Sequence, residues 1–437
     1  MPEAATADAP SRPRGARRVL VVVLLTVGYA ALLFLRRPAG WSDPTIWAED
    51  GRLFLAGTFN PAADVFTIYA GQLWPFQRLV AAGIAQLPTV WWPLALYAVS
   101  CAVAAVMISV VLSERARPLL GAFWWRALAA AALVLLPGTW EVQGNLANLH
   151  WWATIAAMVL LAMTPARSAV WRWVEIAFLL LVALTGLGGL LLVPIALWRV
   201  LTGVRTRAVA IRSVLIFAAA AVNLAIAARY STRAGASDPL GAWPTMVEFV
   251  EVRVGQVLLV GERGLATLNL PAVALTVAAV VLLVLVALLV LTDMRGPSWA
   301  WLATGLAAIV LAMASLPEVE RPLVLQPYIS GRYAVLAMAA VVLIVVRALA
   351  TGTVFRRVVA LVALLMMVPG FAVDAYLNPL GPGVPAAELE AFAACVAEQE
   401  QPAGEPFCYV DIQPDTGEWR IVVWRSGVDR EAILEQG

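Results

Sequence analysis

The 437-residue chain is 62% hydrophobic and 13% charged, with a mean hydropathy of +0.85, which excludes the soluble globular class, whose chains are about half apolar and a quarter charged. Most of the length must therefore be spent on membrane spans, and the net charge of +2 matters less than its distribution. Every basic residue is an arginine, and the arginines gather in alternate loops while the acids gather in the others.

Residues 1–18 read as a disordered cytoplasmic leader, with Arg12, Arg14, Arg17 and Arg18 just before the first apolar run. That run, 19–35, ends in Leu35-Arg36-Arg37 without a small-x-small cleavage site, so it is expected to be an uncleaved span running from inside to outside. Residues 36–89 form the first external loop. Within it, Asp43-Pro44 predicts the N-cap and first position of a short helix carrying Glu49 and Asp50 at its far end. Residues 72–87 are apolar but interrupted by Pro75, Gln77, Arg78 and Gln86. They are read as a helix lying on the membrane, because counting them as a span would put the arginine-rich loops on the wrong side.

Further spans are expected near 90–112, 123–137, 149–163, 170–184, 188–201, 209–228, 271–292, 298–315, 332–349 and 357–374, about eleven in all. The stretch 170–201 is too long for one span and breaks at Thr185-Gly-Leu-Gly-Gly189, as two short helices meeting at an outward turn. With this count the inner loops carry Arg115, Arg117 and Arg126, then Arg167 and Arg172, then Arg199, Arg205, Arg207 and Arg212, then Arg295, then Arg347, Arg356 and Arg357, all on the cytoplasmic side. The external loops are 36–89, 138–148, 229–270 and 316–331, the third containing an amphipathic helix capped by Thr245. This gives an all-α polytopic membrane domain over 19–375 with its N-terminus in the cytoplasm and its C-terminus outside.

Residues 376–437 read as a small exported α/β tail: a helix over 386–399, then a hairpin of 407–412 and 419–423 around Asp415-Thr-Gly417. Cys395 and Cys408 are expected to pair there, tying helix to strand and stabilising the unit by roughly 3 kcal/mol. Cys101, inside an apolar run, reads as a small packing residue.

The sequence carries no Gly-rich phosphate loop, zinc pattern, Gly-x-Ser-x-Gly elbow, basic-aromatic nucleic-acid stripe or internal repeat. An ATP-driven pump and a nucleic-acid partner are thereby set aside. What carries chemistry is Glu49-Asp50, flanked by Trp47 and followed by the juxtamembrane helix with Arg78. With a first span, an acidic external loop, a juxtamembrane helix and a second polar external loop after the third span, the N-terminal half resembles the GT-C superfamily of membrane glycosyltransferases.

The resemblance implies transfer of a sugar from a polyprenyl-phosphate carrier to a cell-envelope glycan or glycolipid, outside the plasma membrane and among its lipids. Attack of a hydroxyl on an anomeric carbon needs a base, and a carboxylate beside low-dielectric lipid has its pKa raised toward that use. Asp50 is the expected base, with Glu49 as helper; the bland reading is a solvated loop acid. A departing carrier phosphate needs a cation, for which Arg332, in Ser330-Gly-Arg-Tyr333, is the best placed, with Arg78 and Arg229 behind it. Each reads equally as a snorkelling interfacial arginine.

The second external loop offers Glu141, Asn145, Asn148, His150 and Trp151 as acceptor-binding groups, with Trp140, Trp151 and Trp152 able to stack on a sugar. It lacks a clear Asp-x-Asp, so no metal ligand is assigned and a divalent cation, Mg or Mn, stays open. His150, the single histidine, also fits a structural hydrogen-bonding role.

Two other classes compete. Transporters and flippases share this span count, but ion-coupled ones bury ionisable groups at mid-membrane; here Glu175 and Asp374 lie near span ends, leaving Asn223 as the chief mid-span polar group. A non-catalytic scaffold docking a cell-wall partner through its tail would make the acidic loop incidental.

Overall fold

A computed structural model describes residues 14–60, 63–202, 206–230, 242–398, 407–414 and 419–424. The leader up to residue 13, Arg205 and the turn Asp415–Gly417 lie outside the described residues.

The helices in chain order are α1 (Arg14–Arg36), α2 (Ala39–Ser42), α3 (Ala56–Thr58), α4 (Pro75–Ile84), α5 (Trp92–Ser109), α6 (Arg117–Leu120), α7 (Phe123–Val134), α8 (Leu149–Ala162) and α9 (Ala169–Leu184). They continue with α10 (Gly188–Leu201), α11 (Arg207–Tyr230), α12 (Trp243–Phe249), α13 (Val257–Thr267), α14 (Ala272–Leu291), α15 (Ser298–Ser315), α16 (Val335–Thr351), α17 (Val354–Val373) and α18 (Ala386–Ala397). The strands β1 (Phe407–Asp411) and β2 (Arg420–Trp424) pair antiparallel, Phe407 opposite Trp424 and Asp411 opposite Arg420. The protein is thus an all-α polytopic membrane protein with a small two-stranded sheet near its C-terminus.

Seven helices among the described residues are long and apolar enough to cross a membrane: those at 16–36, 89–112, 207–230, 272–291, 298–315, 331–351 and 354–373. The other four expected spans, α7, α8, α9 and α10, are only 12 to 16 residues long, and at 1.5 Å per residue none spans a hydrocarbon layer of about 30 Å alone. In the chain between α7 and α8, Thr139, Gln143 and Asn145 are buried by the surrounding protein.

Polar contacts divide the bundle into two ends. At one end Arg36, at the close of α1, donates to the carbonyls of Val134, Leu136 and Asp374 and to Thr139 Oγ1 at 2.8–2.9 Å. The Asp374 carboxylate there accepts from the amides of Gly138, Glu262 and Arg263. At the other end Glu175 pairs with Arg115 and Arg212, and Asp293 pairs with Arg347 at 2.7 Å and Arg356 at 3.4 Å. The arginine-rich loops thus share one end and the acidic loops the other. At the centre runs α16, whose span is 83% buried. Asn223 is spent within the bundle, accepting from the Gly189 amide at 3.0 Å.

Several local expectations differ. The leader's last residues are already helical, because α1 starts at Arg14. Asp43 is no N-cap: it closes α2 as its C-cap, and its carboxylate accepts from the Gly383 amide at 3.1 Å. Residues 44–47 are extended because the tail pairs with them, Gln413 exchanging backbone bonds with Ile46 and Ala48. The helix bearing the acids starts at Ala48, placing Glu49 and Asp50 in its first turn, where the positive end of the dipole favours them. It continues as a π-type turn over Asp50–Leu55. Thr245 is no cap either, since α12 begins at Trp243 with Pro244 in its first turn. In the tail, Cys395 and Cys408 form a disulfide with Cα atoms 5.8 Å apart, and Cys101 is buried and free.

Candidate active site

Four segments from the acidic end converge on one cavity of about 300 Å³, at the small end of ligand pockets, which run about 300–1,000 Å³. The acid-bearing turn supplies Glu49, Leu53 and Phe54; the loop 69–74 supplies Tyr69, Gln72 and Trp74; the head of α8 supplies Asn148, His150 and Trp151; the turn leading into α16 supplies Arg332 and Tyr333. The far wall is apolar: Leu187 of the α9–α10 turn, Leu191 of α10, and Ala308, Leu311 and Ala312 of α15. The cavity therefore opens where short helices leave room, and it is polar on one side and greasy on the other.

Local structure explains each contribution. Tyr69 and Gln72 exchange two backbone bonds of 2.9 Å around Ala70 and Gly71, both at positive φ, which is the tight turn of a hairpin. Gly186, at φ +59°, reverses the chain between α9 and α10, and its amide donates to Leu73 O at 2.8 Å, locking that turn to the 69–74 loop. Ser330, also at positive φ, delivers Arg332 to the head of the central span.

The two acids separate. The Asp50 carboxylate turns from the cavity, accepting from the amides of Leu146 at 2.7 Å and Ala147 at 2.6 Å. Burial pushes its pKa up to about 7, against the opposing pull of those two amides. Glu49 lines the cavity instead, and its buried Oε2 has no hydrogen-bond partner. The roles expected for the pair are thus exchanged in space: Asp50 clamps the second external loop and Glu49 faces the void, because one turn of helix points neighbouring side chains in different directions.

Arg332 is at the cavity, its Nη1 paired with Glu141 Oε1 at 2.7 Å and its guanidinium 5.2 Å above the Tyr333 ring. Glu141 is occupied by that pairing, so it orients the arginine and does not line the cavity. Asn145 is likewise outside the lining and braces the loop, accepting from the Asn148 amide at 3.0 Å. Asn148 reaches the cavity, where its Oδ1 accepts from Trp151 Nε1 at 3.2 Å. His150 contacts the Ala147 carbonyl at 2.8 Å and stands edge-on to Trp74, with ring centres 5.1 Å apart. Of the three tryptophans expected to stack on a sugar, only Trp151 lines the cavity; Trp140 Nε1 donates to Pro379 O, and Trp152, buried, donates to Val142 O.

Arg78 and Arg229 are not at the cavity. Arg78 lines a neighbouring one, and Arg229 is exposed at the end of α11, over Tyr230. Sequence reasoning missed Tyr69, Gln72 and Trp74; the only signal was the small Ala70-Gly71 pair between polar residues, which marks a turn. It also missed the apolar wall, since Leu191 and Leu311 look like any span residue.

This cavity offers the single carboxylate of Glu49 beside a cationic Arg332, and among the described residues no three His, Cys, Asp or Glu side chains gather to hold a metal. A larger groove of about 640 Å³ at the other end is lined by Arg115, Trp171 and Glu175, but both carboxylate oxygens of Glu175 are committed to arginines.

No protein-family model and no curated protein sequence matches the chain. Among solved structures it is similar to the oligosaccharyltransferase of Archaeoglobus fulgidus in a complex with zinc and sulfate, at 14% identity and a TM-score of 0.39, over 88% of this chain and 56% of that one. The chain thus spans just over half the length of that enzyme.

Proposed function

We propose that the protein is a GT-C-like glycosyltransferase that moves a sugar from a polyprenyl-phosphate carrier to a cell-envelope glycan or glycolipid on the outer face of the plasma membrane. One observation carries the reading: an unpartnered buried carboxylate oxygen, a guanidinium and an apolar wall built from spans share a single cavity. The apolar wall suits the first isoprene units of a carrier, and Arg332, held in place by Glu141, suits its phosphate. Trp74 Nε1, a second buried polar atom without a partner, and the face of Trp151 suit a sugar.

Glu49 takes the proton of the acceptor hydroxyl. The oxygen attacks the anomeric carbon from the side opposite the carrier, and the bond to the phosphate oxygen breaks with its electron pair passing to the phosphate beside Arg332. Direct displacement inverts the anomeric centre. Asp50 acts at one remove, fixing the Leu146–Ala147 backbone that carries Asn148 and His150 into the cavity. The collection of arginines at the opposite end supports a cytoplasmic face there, and on this reading the cavity and the C-terminal tail face outward.

The test is to compare envelope glycans and lipid-linked sugars in strains with and without the gene. Build-up of one polyprenyl-phosphate sugar, with loss of the matching glycan residue, is expected; unchanged profiles of both would refute transfer.

A further inference from the structure

Beside the first cavity lies a second, also of about 300 Å³, and the two share Leu53 and Tyr69 as a common wall. Its remaining lining is of opposite character: Arg52 and Arg78 face it with Asn60 and Thr67, and β2 closes it through Val422 and Val423. Among the described residues no acidic side chain lines it. Asp64, whose charge acts on Arg78, is not in the lining: its Oδ1 accepts from the Phe66 amide at 2.8 Å and from Thr67 Oγ1 at 3.2 Å. Neither arginine has an ion-pair partner among the described residues. Arg78 is half-buried and its Nε is a buried donor with nothing to bond, while Arg52 rests over the Trp419 ring at 5.5 Å.

Two guanidinium groups in one recess, neither ion-paired among the described residues, attract an anion, and a fork-shaped donor left dry is costly unless a ligand meets it. Arg52 also lies three residues after Glu49, on the next turn of the same helix. We infer that this second cavity is the acceptor subsite and that it selects an acidic acceptor, a glycan bearing uronate or phosphodiester groups, held by Arg52 and Arg78 with the C-terminal hairpin as its outer wall. The inference rests on the transfer reading, for which it names the acceptor class.

The test uses the full chain in nanodiscs of zwitterionic lipid, titrated with tetragalacturonate, with a glycerol-phosphate tetramer and with neutral maltotetraose. At least one acidic probe should bind more tightly than maltotetraose, and its Kd should rise about tenfold in Arg52→Gln and in Arg78→Gln, the loss expected for one charge-assisted hydrogen bond. Arg229→Gln, a cation outside both cavities, should leave binding unchanged. Arg52 is exposed and carries the test if Arg78→Gln does not fold.

Equal affinity for neutral and acidic probes, or acidic binding indifferent to both substitutions, would overturn the inference. So would competition for the site by phosphatidylglycerol in the disc, which would make it a lipid headgroup site. Binding is read without transfer, so the two readings fail separately: unchanged lipid-linked sugars on gene loss refute the enzyme, whereas transfer to a neutral acceptor refutes only the acidic subsite.

Discussion

Asp50 braces the second external loop beside the cavity, and Arg332 lines the cavity itself. The Asp50 pKa rises from the ordinary 3.8 to about 7, so the folded state holds the proton more tightly than the unfolded chain. The stability from that proton is full below about pH 4 and is lost as pH climbs to about 7. Asn at this position cannot titrate and leaves one of the two backbone amides facing a donor, at a cost of about 1–3 kcal/mol. The thermal midpoint of the wild type relative to Asp50→Asn should therefore fall between pH 4 and pH 7, as followed by thermal shift in nanodiscs; a pH-independent difference would contradict the assignment. For Arg332, removing the guanidinium strands Glu141, and breaking a buried pair costs about 3–5 kcal/mol. Arg332→Gln should lose both stability and transfer, whereas adding Glu141→Gln should recover most of the stability and none of the transfer.

Among the elements, the turn that bears the acids is controlled from the tail. A side-chain carbon at Gly51 would meet Ile412 Cδ1 at 2.4 Å and Ile421 Cγ1 at 2.9 Å, so the hairpin sits directly on the backbone beside Glu49 and Asp50. Gly51→Leu should lift the hairpin away, seen as faster proteolysis within the tail of an otherwise intact membrane domain, and should lower transfer at least as much as removing the tail. This docking is also where the sequence was hardest to read. Seven of the eleven expected spans, the break at Thr185–Gly189, the tail helix and strands and the disulfide pair were legible, because hydrophobic runs, glycines and cysteine placement are local signals. Asp43-Pro44 pointed to a helix start that Gln413, far away in sequence, turned into an extended segment. No window around residue 44 contains that partner.

Across the whole molecule, legibility follows the same line. That the chain is a polytopic membrane protein could be read from composition alone, and Glu49, Asn148, His150, Trp151 and Arg332, chosen from sequence, do meet at one cavity. What sequence could not give is direction: which of two adjacent acids faces inward, and that Arg78 belongs to a neighbouring recess, are decided by long-range packing. Two of the short helices, α8 and α10, border the cavity together with the loops beside them, and the turn leading into the long central α16 brings Arg332 and Tyr333 to it. The central claim is that Glu49, the acid facing the cavity, removes the acceptor proton. It is tested most directly by complementing a gene-less strain with wild-type, Glu49→Gln or Asp50→Asn protein at matched membrane levels and measuring polyprenyl-phosphate sugars. Glu49→Gln should accumulate the same lipid-linked sugar as the empty strain while Asp50→Asn retains part of the transfer; wild-type profiles from Glu49→Gln would contradict the account.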